Sequence, residues 1–172
     1  MRLEQPETSF DAIDRRILAE LQEDTTLSMN EIASRVGLSA TPCWRRIQKL
    51  EDAGIIKKRV ALLNGQAISA GVAVFVSVRT NQHTDEWLKR FGEVVSKMPE
   101  VVEFYRLSGD IDYLLKVIVP DIAAFDRFYK ELVSKIELSD VSSSFAMEEI
   151  KYTTALPLEF MKVEKQRSMA SG

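Results

Sequence analysis

A group of cationic side chains between residues 39 and 59 is the part of this sequence best suited to binding a charged partner. The 172-residue chain carries a net charge of −3. Residues 39–59 nevertheless hold six cationic and two acidic residues, a net of +4, so the rest of the chain sums to −7. Guanidinium and ammonium groups bind phosphate, and a basic patch on an acidic protein confines that binding to one place. Taken alone, the patch is interpreted equally well as a solvated charged face.

Polar residues just ahead of the cations favour the nucleic-acid interpretation. Ser39 and Thr41 lie near the start of a predicted helix, the end that a recognition helix presents to base edges in the major groove. Trp44 has two interpretations: a buried core or interdomain aromatic, or a contact to thymine methyl groups or the sugar–phosphate backbone. The predicted DNA contacts are Ser28, Asn30, Ser39, Thr41, Trp44, Arg45, Arg46, Lys49, Lys57 and Lys58.

Residue types that serve catalysis or metal binding do not converge in this sequence. His83 has no second imidazole or cysteine beside it and is interpreted as a solvated loop residue. Cys43, the single cysteine, is interpreted as a small buried hydrophobe rather than a redox switch. Asp110 and Asp112 flank a glycine turn, where carboxylates usually shape the turn, although they are also candidate ligands for an amino group. We expect no catalytic residue, no metal site and no cofactor.

Three helices are predicted to position the cationic patch. Apolar residues recur at helical spacing after Asp11, and Ser28 with Glu31 forms a capping box that opens a second helix. Gly37 suits the left-handed position that ends this helix, and Ser39 caps a third. Two short helices joined by a glycine turn behind a longer one are typical of a helix-turn-helix. The third helix turns an apolar side inward and its cations outward; the inward residues are Cys43, Ile47 and Leu50.

A predicted strand over residues 55–63 follows the third helix, and its Lys57 to Arg59 segment is a candidate wing against the DNA backbone. Residues 64–71 are assigned as a linker. The predicted organisation is a disordered N-terminus (1–10), a helix-turn-helix domain with an interdomain strand (11–63), the linker, an α/β domain (72–156) and a C-terminal tail (157–172).

The second half of the chain alternates between strand and helix periodicity in the order βαββαβ, which is the ferredoxin-like arrangement. We therefore predict an α+β protein, with a winged-type helix-turn-helix domain followed by a ferredoxin-like domain. Two helices cover one face of the sheet, and dimerisation is the simplest way to cover the other. The predicted strands are 72–78, 101–107, 113–119 and 141–152, and the helices are 87–98, stopped by Pro99, and the one that begins at Pro120-Asp121.

The bulk composition places the chain in an intracellular class. It is 45% hydrophobic and 28% charged, as globular proteins usually are. No apolar run approaches the roughly 18–20 residues that span a bilayer, and the N-terminus lacks the apolar core of a secretory signal. A single cysteine fits a reducing compartment. We expect a cytoplasmic, nucleoid-associated protein without a membrane partner.

Four runs of sequence together resemble the Lrp/AsnC, or feast/famine, family of transcription regulators. The resemblance spans about residues 10–156. Ala40 departs from the family pattern, since many members carry proline there, and we expect this to loosen the start of the third helix without abolishing it. The four runs are residues 13–18 (IDRRIL), 37–43 (GLSATPC), 46–55 (RIQKLEDAGI) and 109–115 (GDIDYLL).

The resemblance implies a homodimer built by the interdomain strand and the α/β sheets, assembling further to tetramers or octamers on near-palindromic double-stranded DNA. It also implies that an effector binds between C-terminal domains. An amino acid offers an ammonium group to a carboxylate such as Asp110 or Asp112, and a carboxylate to backbone amides. The implied effector-binding positions are Leu107, Ser108, Gly109, Asp110, Asp112, Ile122, Ser144, Phe145 and Ala146.

Two stretches are similar to the cysteine-responsive, cysteine-detoxifying branch of the family: residues 41–46 (TPCWRR) and 143–154 (SSFAMEEIKYTT). The small residues Ser144 and Ala146 leave room for a short side chain, so cysteine is the favoured effector. A leucine-type or broad amino-acid responder is the alternative. An architectural DNA-wrapping protein with weak effector dependence is a second alternative. A small enzyme with an accessory DNA-binding-like domain is disfavoured, because no nucleophile–base or metal constellation is present.

Overall fold

The structure, a computed structural model, describes residues 9–82 and 84–163. The chain divides into two compact units. The first unit joins the residues up to Ala61 with those from Tyr152 onward, and we call it the head. The second unit runs from Leu62 to Lys151, and we call it the sheet unit. No helix among the described residues is long and apolar enough to cross a membrane.

Some of the sequence predictions concern residues outside the described part of the chain. These are the disordered N-terminus as far as residue 8, the solvated loop position of His83, and the tail from residue 164 onward. They stay predictions.

The head contains three helices, α1 (Ala12–Glu23), α2 (Met29–Val36) and α3 (Ala40–Asp52). Reciprocal capping boxes open α1 at Asp11 and α2 at Ser28. Each box pairs backbone N–H groups that the start of a helix leaves without an intrahelical partner. The boundaries of these two helices therefore follow from residues next to them in the chain.

Apolar stripes on the three helices close the core of the head. Cys43 is fully buried in this core, which confirms its interpretation as a small hydrophobe, and burial raises the pKa of its thiol. A buried thiol with a raised pKa is a poor nucleophile. The core residues are Ile17, Leu18, Leu21, Ile32, Ala33, Val36, Cys43, Ile47 and Leu50.

The C-terminal segment of the described chain packs on this core. The Gln22 side chain makes two hydrogen bonds with the backbone of Leu156: Nε2 donates to the carbonyl at 3.1 Å, and Oε1 accepts from the N–H at 2.7 Å. Leu158, in the 3-10 turn Leu158–Phe160, and Met161 pack partly buried against the helices. The described part of the predicted tail, residues 157–163, thus adds to the head.

The sheet unit has the βαββαβ order, and its four strands form one antiparallel sheet in the order β2-β3-β1-β4. Both features confirm the predicted ferredoxin-like fold. Its elements are β1 (Val72–Arg79), α4 (Asp85–Val95), β2 (Val101–Arg106), β3 (Tyr113–Val119), α5 (Ile122–Lys135) and β4 (Asp140–Phe145).

One face of the sheet is covered by helices and the other is open. Val76 of β1 lies opposite Leu115 of β3, and both are fully buried under α4 and α5. On the other face, Phe75 is 38% exposed and Tyr105 is 50% exposed. The open face therefore presents apolar surface that a second copy of the sheet unit can cover.

Two predicted strands are corrected. Residues 57–63 make no backbone hydrogen bond to another described residue, so the predicted strand over 55–63 is absent from this single chain. A strand requires a neighbour to pair with. The predicted strand 141–152 ends at Phe145, because the N–H of Ala146 already reaches the Ala73 carbonyl and only Val72 of β1 remains beyond it.

Candidate nucleic-acid interface and ligand site

The turn between α2 and α3 sets the direction of the helix that carries the cations. Gly37 has a φ of +74°, a left-handed conformation that a Cβ disfavours. The Leu38 N–H donates to the Ala33 carbonyl at 2.8 Å. From α1, the Arg16 guanidinium donates to the Val36 carbonyl. The end of α2 is thus fixed both by its own backbone and by a neighbouring helix.

One side of α3 is open to solvent. Thr41 and Arg45 are exposed, and Trp44 is 51% exposed. The interpretation of Trp44 as a core aromatic is therefore wrong, and its contact with DNA stays a prediction. Arg45 forms no hydrogen bond or ion pair with any residue that the structure describes. Its guanidinium is free to bind a phosphate or a guanine edge.

Ser39 occupies the N-cap position of α3, but its side chain makes no capping hydrogen bond. The expectation that its hydroxyl caps the helix is wrong. The helix nevertheless begins at Ala40, so the departure from proline at this position does not prevent α3 from forming. The exposed Ser39 hydroxyl is left available at the leading end of the helix.

Arg46 is turned away from the open side of α3. Its Nη1 lies 2.9 Å from Oδ2 of Asp11 and 2.7 Å from Oδ1 of Asp14, which is 2% exposed. The expectation that Arg46 projects outward is therefore wrong. Burial acts to lower the pKa of Arg46, but its hydrogen bonds to Asp14 and Asp11 outweigh burial and raise that pKa.

Lys49 is exposed, yet it is held by the segment that precedes α1. Its Nζ donates to the Ser9 carbonyl at 2.7 Å and lies 5.2 Å from the centroid of the Phe10 ring. An open depression of about 380 Å³ lies between these groups. Because it is lined by carboxylates and by cations, it is not a simple anion pocket; the lining residues are Ser9, Asp11, Asp14, Arg45, Arg46 and Lys49.

The cations after α3 differ in their freedom. Lys57 and Lys58 are exposed, in an irregular segment rather than in the strand that was expected to form a wing. Arg59 returns to α3, where its Nη2 lies 2.8 Å from Oε1 of Glu51. Contact of Lys57 and Lys58 with the DNA backbone stays a prediction. The ion pair of Arg59 ties the segment to α3.

The two candidate DNA contacts at the start of α2, Ser28 and Asn30, differ in their hydrogen bonding. The Ser28 hydroxyl donates to Oε2 of Glu31 at 2.7 Å and accepts from the Glu31 N–H at 3.3 Å, so the capping box uses it. Asn30 is exposed on the first turn. Both are in the head, and their contact with DNA stays a prediction.

In the sheet unit, five of the implied effector positions form the turn between β2 and β3. Gly109 has a φ of +143°, which favours glycine. The Leu107 N–H donates to the Asp112 carbonyl at 2.8 Å, and Oδ2 of Asp112 accepts from the Thr80 N–H at 2.8 Å. The Asp112 carboxylate thus helps to fix the turn. Ser108 and Asp110 are exposed beside it.

The other four implied effector positions lie where β4 ends and α5 begins. Ile122, at the first turn of α5, is 71% exposed. Phe145 ends β4 and packs edge-on against Phe125, with ring centroids 5.2 Å apart. Ser144 lies opposite Phe75 of β1, and Ala146 is exposed just beyond the strand.

These two groups lie at opposite ends of the sheet. Phe145 is opposite Val74 of β1, whereas Tyr113, which follows the turn, is opposite Val78. The four residue steps between Val74 and Val78 separate the groups by roughly 13 Å along the strand. One chain therefore does not bring the nine implied effector residues into one small-molecule site.

Between residues 9 and 82 and between 84 and 163, no group of three or more histidine, cysteine, aspartate or glutamate side chains is placed to hold a metal ion. Of the two acidic candidates, Asp112 accepts from the Thr80 N–H with its carboxylate, whereas Asp110 accepts from Nε of Arg79 with its backbone carbonyl.

The sequence reasoning missed two sets of residues that shape these surfaces. Asp11, noted only as the residue before the first helix, and Asp14, which was not singled out, pair with Arg46. On the open face of the sheet, Glu103 accepts from Tyr105 at 2.7 Å and pairs with Lys116 at 3.2 Å. The hydrogen bond from Tyr105 is the largest cause that lowers the pKa of Glu103. A carboxylate that alternates with an aromatic residue along β2 was the available signal.

Two family models match the chain and cover most of it between them. Residues 10–57 match a winged helix-turn-helix DNA-binding model, and residues 73–156 match the Lrp/AsnC ligand binding domain. The first match contains α1 to α3, and the second contains all four strands of the antiparallel sheet except Val72, the first residue of β1.

Two curated relatives are similar over nearly their full length. The DNA-binding transcriptional activator DecR of Escherichia coli (strain K12) is 52% identical over 151 residues, which cover 87% of this chain and 99% of the relative. The glutamate uptake regulatory protein of Zymomonas mobilis is 53% identical over 149 residues, which cover 87% and 91%.

Two solved structures are similar in fold and in sequence. An AsnC family transcriptional regulator from Agrobacterium tumefaciens is 63% identical, with a TM-score of 0.87 over 89% of this chain and 100% of that one. The transcriptional regulator NMB0573 of Neisseria meningitidis, in complex with L-Met, is 39% identical, with a TM-score of 0.84 over 88% and 98%.

Proposed function

Because the chain belongs to the Lrp/AsnC family of DNA-binding transcriptional regulators, we propose that it controls genes of amino-acid metabolism by reading an operator in response to a small amino acid. The chain is a regulator with an amino-acid-binding domain and not an enzyme. The proposal concerns which residues read DNA, how the effector site is completed and which amino acid occupies it.

The observation that carries the DNA-reading proposal is the open side of α3. Thr41, Trp44 and Arg45 are exposed there, on a helix whose other side is fixed in the core, and Arg45 has no partner among residues 9–82 and 84–163. In a dimer, two such helices lie about 34 Å apart and meet successive major-groove faces of a near-palindrome. The further proposed contacts from the same unit are Ser28, Asn30, Ser39, Lys49, Lys57 and Lys58.

Dimerisation is supported by two surfaces that the single chain leaves uncovered. The open face of the sheet exposes Phe75 and Tyr105. Residues 57–63 have no backbone partner among the described residues, although Val60, Leu62 and Leu63 are apolar and exposed. Pairing between two copies of this segment would supply the missing ladder. We infer a homodimer, which assembles further to a tetramer or octamer.

The effector site is proposed to lie between C-terminal domains. The turn around Gly109 and the group around Ile122 are roughly 13 Å apart within one chain. A small amino acid spans less than that distance, so a site containing both groups takes one group from each of two chains. The Asp110 or Asp112 carboxylate then binds the ammonium group, and backbone N–H groups at the start of α5 bind the carboxylate.

Cysteine is the favoured effector, and a leucine-type or broad responder is the alternative. Ser144 and Ala146 are small, which leaves room for a short side chain. The similar proteins are associated with different amino acids, since one is named for glutamate uptake and another is in complex with L-Met. We also propose that the helix-turn-helix domain with its interdomain segment spans residues 11–63, the linker 64–71 and the α/β domain 72–156. The proposed location is cytoplasmic and nucleoid-associated.

A thermal-shift screen of the twenty amino acids tests the proposal, because an effector stabilises the state that it binds. We expect a rise in Tm with cysteine, or with a small set of amino acids, and a change in operator affinity with the same compound. If no amino acid shifts Tm at millimolar concentration while DNA is protected over many helical turns, the architectural alternative is correct.

A further inference from the structure

Two opposite charges occupy positions in the apolar stripes of α1 and α3. Asp14 lies three and four residues before the buried Ile17 and Leu18, and it is itself 2% exposed. Arg46 lies three residues after the buried Cys43 and four before the buried Leu50. At helical spacing these positions face the neighbouring helix. Each charge therefore enters the contact between α1 and α3.

The geometry makes one guanidinium nitrogen the centre of a network. Nη1 of Arg46 donates to Oδ1 of Asp14 at 2.7 Å and to Oδ2 of Asp11 at 2.9 Å. Oδ2 of Asp14 accepts from the Asp11 N–H at 3.0 Å, and Oδ1 of Asp11 accepts from the Asp14 N–H at 2.9 Å. The network thus ties the middle of α3 to the capping box that starts α1.

We propose that Arg46 is a positioning residue, which fixes α3 against α1 through Asp11 and Asp14 so that the adjacent Arg45 meets DNA, and that Arg46 itself does not contact DNA. This assignment rests on the proposed role of α3 in reading DNA. It divides two neighbouring arginines of the cationic patch between separate tasks.

The burial of Asp14 decides between the two tasks for Arg46. If Arg46 left the network to bind a phosphate, the Asp14 carboxylate would remain in the helix contact without its cation, which proteins strongly disfavour. The other cations beside the network are Arg45, which is exposed, and Lys49, which is held by Ser9. Neither forms an ion pair with Asp14 among the described residues, so Arg46 is the cation that balances the Asp14 charge in this structure.

The salt dependence of operator binding separates a phosphate contact from a positioning role. Each phosphate contact adds about 0.9 to the slope of log K against log salt. We expect Arg45→Ala to reduce this slope by about one with Tm unchanged. We expect Arg46→Ala to leave the slope unchanged, to lower Tm by roughly 10 °C, and to weaken operator binding at every salt concentration.

A double variant keeps the assignment testable if Arg46→Ala folds poorly. In Asp14→Asn/Arg46→Gln the buried charge is removed together with its partner, and two amides can hydrogen-bond in its place. We expect this variant to recover most of the Tm and to bind the operator within about threefold of wild type. A lasting loss of operator affinity in this folded variant, with a slope reduced by about one, would show that Arg46 contacts DNA.

The two hypotheses fail in different ways. If the wild-type chain shows no preference for any operator and Arg45→Ala changes nothing, the proposed function of α3 fails. If Arg45→Ala behaves as expected but Arg46→Ala gives the same reduced slope and an unchanged Tm, only the positioning role of Arg46 is overturned.

Discussion

The head and the sheet unit differ in how they bring their candidate residues together. In the head, Thr41, Trp44 and Arg45 lie on one exposed side of one helix. In the sheet unit, the Gly109 turn and the Ile122 group lie at opposite ends of the sheet. The proposed DNA-reading surface of one head thus lies within one chain, whereas the proposed effector site needs a second chain.

This difference has a physical origin. Residues three or four positions apart on a helix share a face, so local spacing determines the surface of α3. Positions at the ends of a sheet are set by pairing between distant segments, such as Val74 with Phe145. A site made from sheet ends of two chains would therefore form only in the assembled protein, so effector binding and assembly would be coupled.

The largest expected effects come from a matched pair of core substitutions. Leu50 is fully buried in the head, and Leu115 is fully buried in the sheet unit. Replacing either with alanine costs about 2–5 kcal/mol. We expect Leu50→Ala to abolish operator binding while amino-acid binding persists, and Leu115→Ala to abolish amino-acid binding. Calorimetric titration and gel shift measure both properties, and loss of both in each variant would contradict the division into separate units.

The next largest effect is on Arg45. Arg45→Ala removes an arginine on the open side of α3 that has no partner among the described residues. We expect operator affinity to fall by about 1–3 kcal/mol, with amino-acid binding unchanged. Arg127→Ala, at an exposed position of α5, is the control. Equal operator affinity of Arg45→Ala and wild type in a gel-shift titration would exclude the DNA-reading role of this residue.

Two substitutions of Asp112 sharpen the effector half of the comparison. Asp112→Asn keeps an oxygen to accept from the Thr80 N–H, whereas Asp112→Ala loses both that bond and the charge. If the Asp112 carboxylate binds the ammonium group of the ligand, both variants should bind the operator but lose the effector response, a coupling of typically ~1–3 kcal/mol. Only Asp112→Ala should also lower Tm. An unchanged response curve for Asp112→Asn removes the carboxylate from the effector site.

The smallest effect concerns the C-terminal segment. Leu158 packs partly buried on the head, whereas Phe160, two residues later, is 79% exposed. We expect Leu158→Ala to destabilise the head by about 1 kcal/mol and Phe160→Ala to have no effect on its unfolding. Hydrogen exchange of the α1 amides measures this. Equal exchange rates in the two variants would mean that the segment adds nothing to the head.

Helix boundaries and turns could be predicted because adjacent residues determine them. The Ser28–Glu31 capping box and the left-handed Gly37 are examples. The contact of Arg46 with a neighbouring helix could also have been predicted, because Arg46 shares the helix face of Cys43 and Leu50. A charged side chain was instead assumed to face water. Its partner Asp14 lies 32 residues away, and the pairing appears only when α1 and α3 pack.

The errors in the strands have a different cause. Residues 55–63 have the apolar and β-branched residues of a strand, but composition does not supply a partner, and the described chain offers none. Likewise β4 continues only while β1 is beside it, so its end at Phe145 depends on where β1 starts. Separation of the effector residues into two groups follows from the same register, which the sequence does not contain in readable form.

A mixing experiment tests most directly whether the effector site is shared between chains. Asp112→Asn chains keep the turn but lack the carboxylate proposed to bind the ligand. Ile122→Arg chains carry a blocked helix start, at a position that is 71% exposed and tolerates the larger side chain. The two variants are unfolded together, refolded as mixed assemblies and assayed for amino-acid-dependent operator binding. A shared site predicts that the mixture regains a response which neither variant shows alone, because an intact turn meets an intact helix start across chains. A mixture as unresponsive as its two components would contradict the account.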